Sequence, residues 1–173
     1  MLSKMKPQDQ DGSRIAIVFN GSPLFSGGPN SGESAIRRWI IENDWLEAIV
    51  GLPDKLFYNT DIHTYIWILS NNKSTEREGK VQLIDARDLY ESMRKNLGDK
   101  SNKLNNEHIS KITSIFGEFE NGDRSKIVAN EEFGYRRIVI DRPLRLSFSV
   151  SPEKIDLLDE ERAFSNREEE KQE

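Results

Sequence analysis

Four groups of residues in this chain have types and spacings that could do chemistry. The first is the run from Asn20 to Gly32, which holds Gly21, Gly27, Gly28 and Gly32 between an apolar stretch and a helix start. Strand, glycine-rich loop and helix N-terminus is the arrangement that cradles phosphates with backbone amides. The spacing matches neither Gly-x-Gly-x-x-Gly nor Gly-x-x-x-x-Gly-Lys-Ser/Thr. A surface loop that simply needs a permissive backbone is the competing reading. The second group is Phe57 and Tyr58, adjacent aromatics in the loop 56–61. The third is Arg136, Arg137, Arg142 and Arg145, which could meet phosphates. They could equally be solvated or paired with Glu131, Glu132 and Asp141. The fourth is Asp85, Asp88 and Glu91, whose spacing suits a solvated helix start and makes no metal constellation. There is no cysteine, so disulfides and cysteine-ligated metals are excluded. His63 and His108 lie too far apart for a metal-ligand motif.

These groups need elements to position them. Residues 14–19 form a continuous apolar run, the signature of a buried strand. Asn30 with Glu33 resembles a capping box, opening a helix to about Asn43 with Ile36, Trp39 and Ile40 on one face. Arg37 and Arg38 fall off that face. Residues 46–52 and 64–69 read as two further strands, the latter rich in β-branched and aromatic residues. Pro53-Asp54 starts a turn between them, and residues 81–84 make a short fourth strand. Residues 88–95 read as a short helix and 99–106 as a polar turn. Ile109, Ile112, Phe116 and Phe119 recur at helical steps and read as packing. Residues 138–140 are a strand candidate, and 144–150 alternate as a half-buried extended segment beside Pro143.

Strand, helix and then two strands on a short link indicate an α/β fold. Consecutive strands on a short link are antiparallel. Strand 64–69 is therefore expected antiparallel between strands 14–19 and 46–52, which are parallel to each other. This is a partial Rossmann-like sheet closed by an antiparallel pair, followed by a C-terminal helical and extended segment and an acidic tail. The expected division is 1–85, 86–152 and 153–173.

Several stretches in order resemble the modification subunit of type I restriction–modification systems, which are adenine-N6 DNA methyltransferases. They are Arg14-Ile-Ala-Ile-Val-Phe-Asn-Gly-Ser-Pro-Leu-Phe-Ser-Gly-Gly, the helix and strand from Glu33 to Leu52, and Leu52-Pro-Asp-Lys-Leu-Phe-Tyr-Asn-Thr-Asp-Ile62. Lys80-Val-Gln-Leu-Ile-Asp85 and Phe133-Gly-Tyr-Arg-Arg-Ile-Val-Ile-Asp-Arg-Pro-Leu-Arg-Leu-Ser-Phe148 continue the series. The resemblance covers nearly all of the chain. It implies that Phe57, with Tyr58 as second choice, stacks on a flipped adenine, since a methylated base must leave the helix and stack on apolar side chains. A Phe57 tucked into the core is the alternative. It also implies that Asn20, Gly21, Ser22, Gly27 and Gly28 border the DNA cleft.

Two family motifs have no counterpart here: the glycine-rich loop for S-adenosylmethionine and the Asn/Asp-Pro-Pro-Phe/Tyr loop. All six prolines are isolated. In the family both motifs precede the segment that Arg14 begins, so the expectation is a separated C-terminal half with no cofactor site of its own. The implied partners are the N-terminal half of the subunit, the specificity and restriction subunits, and DNA. Competing functions are a non-catalytic module docking on such subunits, or a small phosphate- or nucleotide-binding domain.

Charge and composition bound these readings. The net charge of −5 resides in the tail, where Glu153 to Glu173 carries nine acids and four bases. The rest is balanced, so local patches rather than totals must identify partners. With 35% hydrophobic and 32% charged residues, the core is lean, and some apolar surface is expected to need a partner segment. No signal-peptide pattern and no apolar run of about 20 residues occurs, which points to a cytoplasmic protein without a membrane partner.

Overall fold

The computed structural model describes residues 1–29, 31–136, 138–142 and 150–157. The chain forms two compact units, Met1–Arg137 and Ile138–Glu173. The first is a mixed α/β structure built on a five-stranded sheet. Its strands are β1 (Arg14–Asn20), β2 (Leu46–Gly51), β3 (Thr64–Ser70), β4 (Lys80–Asp85) and β7 (Ser125–Ala129), in the order β1-β3-β2-β4-β7. β3 runs antiparallel to both β1 and β2, so those two are parallel with β3 between them, as the linkage pattern requires. β4 joins β2 in parallel, and β7 closes the far edge antiparallel to β4.

The sheet is covered on both faces. On one, Val50, Leu52, Leu56, Ile84, Ala86 and Leu89 are buried beneath Ile112, Ile115 and Phe116 of helix α3 (Asn106–Glu118). On the other, Leu46, Trp67, Leu69 and Val81 pack beneath Ile40 and Ile41 of helix α2 (Gly32–Glu42). Each fully buried side chain of this kind contributes about 1.5–3 kcal/mol. Cover is incomplete at β1, where Ala16 and Val18 are exposed and the outer edge pairs with no strand among the described residues.

Several elements differ from the sequence-based expectation. The capping residue of α2 is Ser31, whose hydroxyl accepts from the Ser34 amide at 3.2 Å; Asn30 lies outside the described residues. The inward face of α2 is only in part the expected one: Ile40 is buried as expected. Ile36 and Trp39 are 58% and 47% exposed, while Arg37 turns in and donates to the carbonyls of Pro23 (3.1 Å) and Ser26 (2.6 Å). Two free carbonyls outcompete the apolar pattern for that side of the helix.

The largest correction concerns residues 88–103. No helix forms there; β5 (Glu91–Leu97) pairs with β6 (Lys100–Lys103) as an antiparallel hairpin. Met93, Arg94 and Lys95 are good helix formers, but propensity is a weak bias that tertiary pairing overrides, here pairing with β6. Gly98, at φ 65°, supplies the left-handed first position of a two-residue Gly-Asp turn. A second omission is β7, a five-residue strand at the sheet edge.

In the second unit, residues 138–140 are exposed and form no strand. An apolar run becomes a strand only when a neighbour takes its backbone hydrogen bonds. A short helix, α4 (Pro152–Asp156), follows. Of the expected extended segment 144–150 only the exposed Val150 is described, and most of the acidic tail lies outside the described residues. No described helix is long and apolar enough to cross a membrane.

Candidate functional site

The register places Asn20 opposite Thr64, and Gly51 opposite both Tyr65 and Asp85. The carboxyl ends of β1, β2 and β4 therefore meet on one edge, where open α/β sheets bind ligands. Three segments line it.

The first follows β1. Asn20 accepts the Ser22 amide through its side chain (3.1 Å), and Gly21 opens the one-turn helix α1 (Ser22–Phe25). The Leu24, Ser26 and Ser31 amides bond to carbonyls within the same loop. Gly27 has φ 85°, and a Cβ there would run into the Ser31 hydroxyl and the Glu33 carboxylate. Gly28 is open. The loop is braced by Arg37, and its Ser22, Leu24, Ser26 and Ser31 amides are spent on its own oxygens. The Glu33 carboxyl is held below its ordinary value, chiefly by its own backbone amide and then by Ser31.

The second segment joins β2 to β3. Leu52 and Leu56 are core residues and Pro53 is fully buried. With Leu56 anchored inward, Phe57 and Tyr58 stay 41% and 58% exposed, so Phe57 does not fill the core. Lys55 takes a left-handed φ of 52°. The turn is held by the hairpin that the sequence reading missed. The Asn102 side-chain amide donates to both the carbonyl and carboxylate of Asp54, each at 3.1 Å. The Ser101 and Asn102 amides donate to the Lys55 carbonyl, and the Asp99 amide to the Tyr58 carbonyl at 3.1 Å. A Cβ on Gly98 would sit 2.8 Å from that carbonyl, so a glycine is required twice over. Lys100 lies over the Tyr58 ring, 5.4 Å from its centre. The detectable signal was Gly98-Asp99 between short runs of hydrogen-bonding residues.

The third segment follows β4. Asp85 and Arg87 form a two-pronged ion pair (2.9 and 2.7 Å), and Asp88 forms another with Arg124. Hydrogen bonds from Arg87 hold the Asp85 carboxyl down to about 2, against the cost of partial burial. These acids are ion-pair partners, not a helix start, and Glu91 pairs with Lys103 at 3.2 Å. His63 and Asp123 complete the cleft wall. No three-ligand metal cluster exists among the described residues. Of the arginine group, Arg136 and Arg142 are exposed, while Arg137 and Arg145 lie outside the described residues.

A family model for N-6 DNA methylases matches residues 2–156. The chain belongs to the N-6 DNA methylase family. This methylase segment is 37% identical over 140 residues to the type I restriction enzyme MjaVIII methylase subunit of Methanocaldococcus jannaschii, covering 80% of the chain and 23% of the relative. It is 34% identical over 165 residues to the MjaVII methylase subunit of that organism, covering 92% and 27%. The type I methyltransferase subunit of Streptococcus thermophilus superposes with a TM-score of 0.61 at 29% identity, over 71% of this chain and 24% of that one. A modification subunit from Vibrio vulnificus, 17% identical with a TM-score of 0.53 over 70% of this chain and 23% of that one, shares the fold. The chain spans about a quarter of the length of the relatives it matches.

Beneath the site edge, this methylase segment carries a buried polar chain that sequence reading missed. Glu47 of β2 is fully buried and takes two hydrogen bonds from Arg14 (2.8 and 3.0 Å). Its other neighbour is Arg77 at 3.8 Å, also buried. Arg77 lies between the Phe116 and Phe119 rings, 4.3 and 4.2 Å from their centres. It donates to Gln82 (3.1 Å) and to the Phe116 carbonyl. Gln82 in turn donates to the Ile115 carbonyl and the Ser125 hydroxyl. Burial lowers the Arg77 guanidinium from its ordinary value, and Glu47 opposes that. The chain of contacts ties the end of α3 to four strands.

Proposed function

We propose that this chain is a C-terminal part, about a quarter, of a type I restriction–modification methylase subunit, and that it supplies one wall of the pocket for a flipped adenine. The observation that carries this is the pair Phe57-Tyr58, held outward at the carboxyl edge by a buried Leu56 and by the β5–β6 hairpin. Phe57 offers the stacking face, and the loop carrying Asn20, Gly21, Ser22, Gly27 and Gly28 borders the DNA cleft. Arg136, Arg137, Arg142 and Arg145 are candidate phosphate contacts. The partners are the N-terminal half of the subunit, the specificity and restriction subunits, and DNA.

S-adenosylmethionine is the methyl donor the family implies. The residues present do not fit it: the Ser22, Leu24, Ser26 and Ser31 amides of the glycine-rich loop are engaged within that loop, and the family's donor and proline-braced acceptor loops have no counterpart in the sequence. No step through the donor follows from this chain. Methyl transfer rests on a positioned donor and acceptor, so the isolated chain is inactive on this reading. The exposed edge of β1 suits a strand of the N-terminal half, which would complete the Rossmann-like sheet.

Calorimetry of the isolated chain with S-adenosylmethionine is the test, followed by methylation assays after mixing with a matching N-terminal half. No heat from the chain alone and restored methylation in the mixture are expected. Micromolar binding by the chain alone would overturn the reading.

A further inference from the structure

We propose that the bulged strand β5 is a phosphate grip for duplex DNA, with Arg94 and Lys95 as its contacts, beside the turn that presents Phe57 and Tyr58. The inference rests on the proposed function and adds a binding site to it.

The hairpin register carries the first argument. Ser92 pairs with Asn102 and Leu97 with Lys100. Four residues, Met93 to Asn96, therefore face Ser101 alone. A bulge of this kind bends its strand and re-aims side chains, and bulges gather beside functional sites. Here it throws out Arg94, Lys95 and Asn96, all exposed. Among the described residues, the side chains of Arg94 and Lys95 have no ion-pair or hydrogen-bond partner.

Charge is the second argument. Glu91 to Lys103 holds four cations and two carboxylates, and Glu91 is already joined to Lys103. Elsewhere on this edge the guanidinium forks of Arg87 and Arg124 are occupied by Asp85 and Asp88. The bulge is where cationic charge is left unspent. The third argument is placement. A two-stranded ribbon is marginal on its own, yet this one is pinned to the aromatic turn through Asp54, Lys55 and Tyr58. A phosphodiester backbone running past the turn would meet Lys100 over the Tyr58 ring and then the bulge. Flexible cations without a fixed fork towards base edges suit phosphates, which position a duplex without reading it.

The test is fluorescence anisotropy of the full chain with a labelled random-sequence duplex across a salt series. The wild-type chain binds, and its affinity falls steeply with salt. The double variant Arg94→Ala/Lys95→Ala binds at least about tenfold more weakly at low salt, and its log–log salt slope is shallower by about 1.8, the loss of two phosphate contacts. Arg94→Lys/Lys95→Arg keeps both affinity and slope, and Lys111→Ala on the exposed side of α3 changes neither. Circular dichroism confirms that each variant is folded. Absence of duplex binding by the wild-type chain, or an unchanged slope in the double alanine variant, overturns the proposal. The methylase reading is scored separately by restored methylation with an N-terminal half, so either can fail alone.

Discussion

Two sets of charges in this molecule are treated in opposite ways. Glu47 and Arg77 are buried in the body of the sheet, bonded to each other, to Arg14, to Gln82 and to the end of α3. Arg94 and Lys95 stand on a bulge at the surface, and their side chains have no partner among the described residues. Removing charges from water is costly unless partners repay it, so the first set can only hold structure together. Exposed cations cost nothing to keep and remain available to a ligand. The same division separates Leu56, which anchors its turn in the core, from Phe57 and Tyr58, which the anchored turn holds outward.

The sharpest way to break this comparison is to remove one buried partner. Glu47→Ala leaves Arg77 without its counter-charge and is expected to lower stability by about 3–5 kcal/mol. In urea unfolding the midpoint falls while the slope stays the same. A loss under about 1 kcal/mol would mean that the network is ornamental. Next is Phe57→Ala, which should leave the melting curve of the chain nearly unchanged. In an enzyme reconstituted with an N-terminal half, it should weaken binding of the target base by about 1–3 kcal/mol. A large stability loss with normal base binding would place Phe57 in the structural set instead.

Asn102→Ala tests the support between the two regions. It removes both donors to Asp54, with an expected loss of about 1 kcal/mol. Amide exchange should quicken in the turn around residues 54–58 but not in β2 or β3. The smallest effect belongs to the exposed pair Asp85–Arg87. Asp85 is held down to about 2, so its contribution is present above the ordinary carboxylate range. It is lost as the pH falls through about 2. Because both side chains are half exposed, solvent screening limits that contribution to about 0–1 kcal/mol. Arg87→Ala should return the Asp85 titration, followed by NMR, towards its ordinary value while the melting temperature at neutral pH barely moves.

Much of this was legible in the residues. The apolar runs at 14–19, 46–52, 64–69 and 81–84 each became a strand, and the stripe Ile112, Phe116 became the packed side of α3. Phe57 and Tyr58 were visible as aromatics in a loop. The hairpin was not legible, because residues 91–103 carry almost no apolar alternation and owe their pairing to each other and to the turn beneath. β7 was missed for a similar reason: Ser125–Ala129 is half polar and becomes a strand by completing the edge of β4.

The sequence alone determined that the apolar runs 46–52, 64–69 and 81–84 are core strands, because burial of apolar surface dominates the energetics; the run 14–19 became a strand but stays half exposed at the sheet edge. It did not determine where the backbone turns left-handed: Gly98 does so at the tip of the hairpin, and Lys55 does so without being glycine. The tertiary structure decided everything that depends on a second segment. Arg37 faces inward because the carbonyls of Pro23 and Ser26 await it. Arg77 can be buried because Glu47, Gln82 and two phenylalanine rings surround it. Arg94 and Lys95 are left exposed because the register of β5 on β6 slips past them. A charge takes its role from its partners, and partners distant in sequence meet only when the chain has folded.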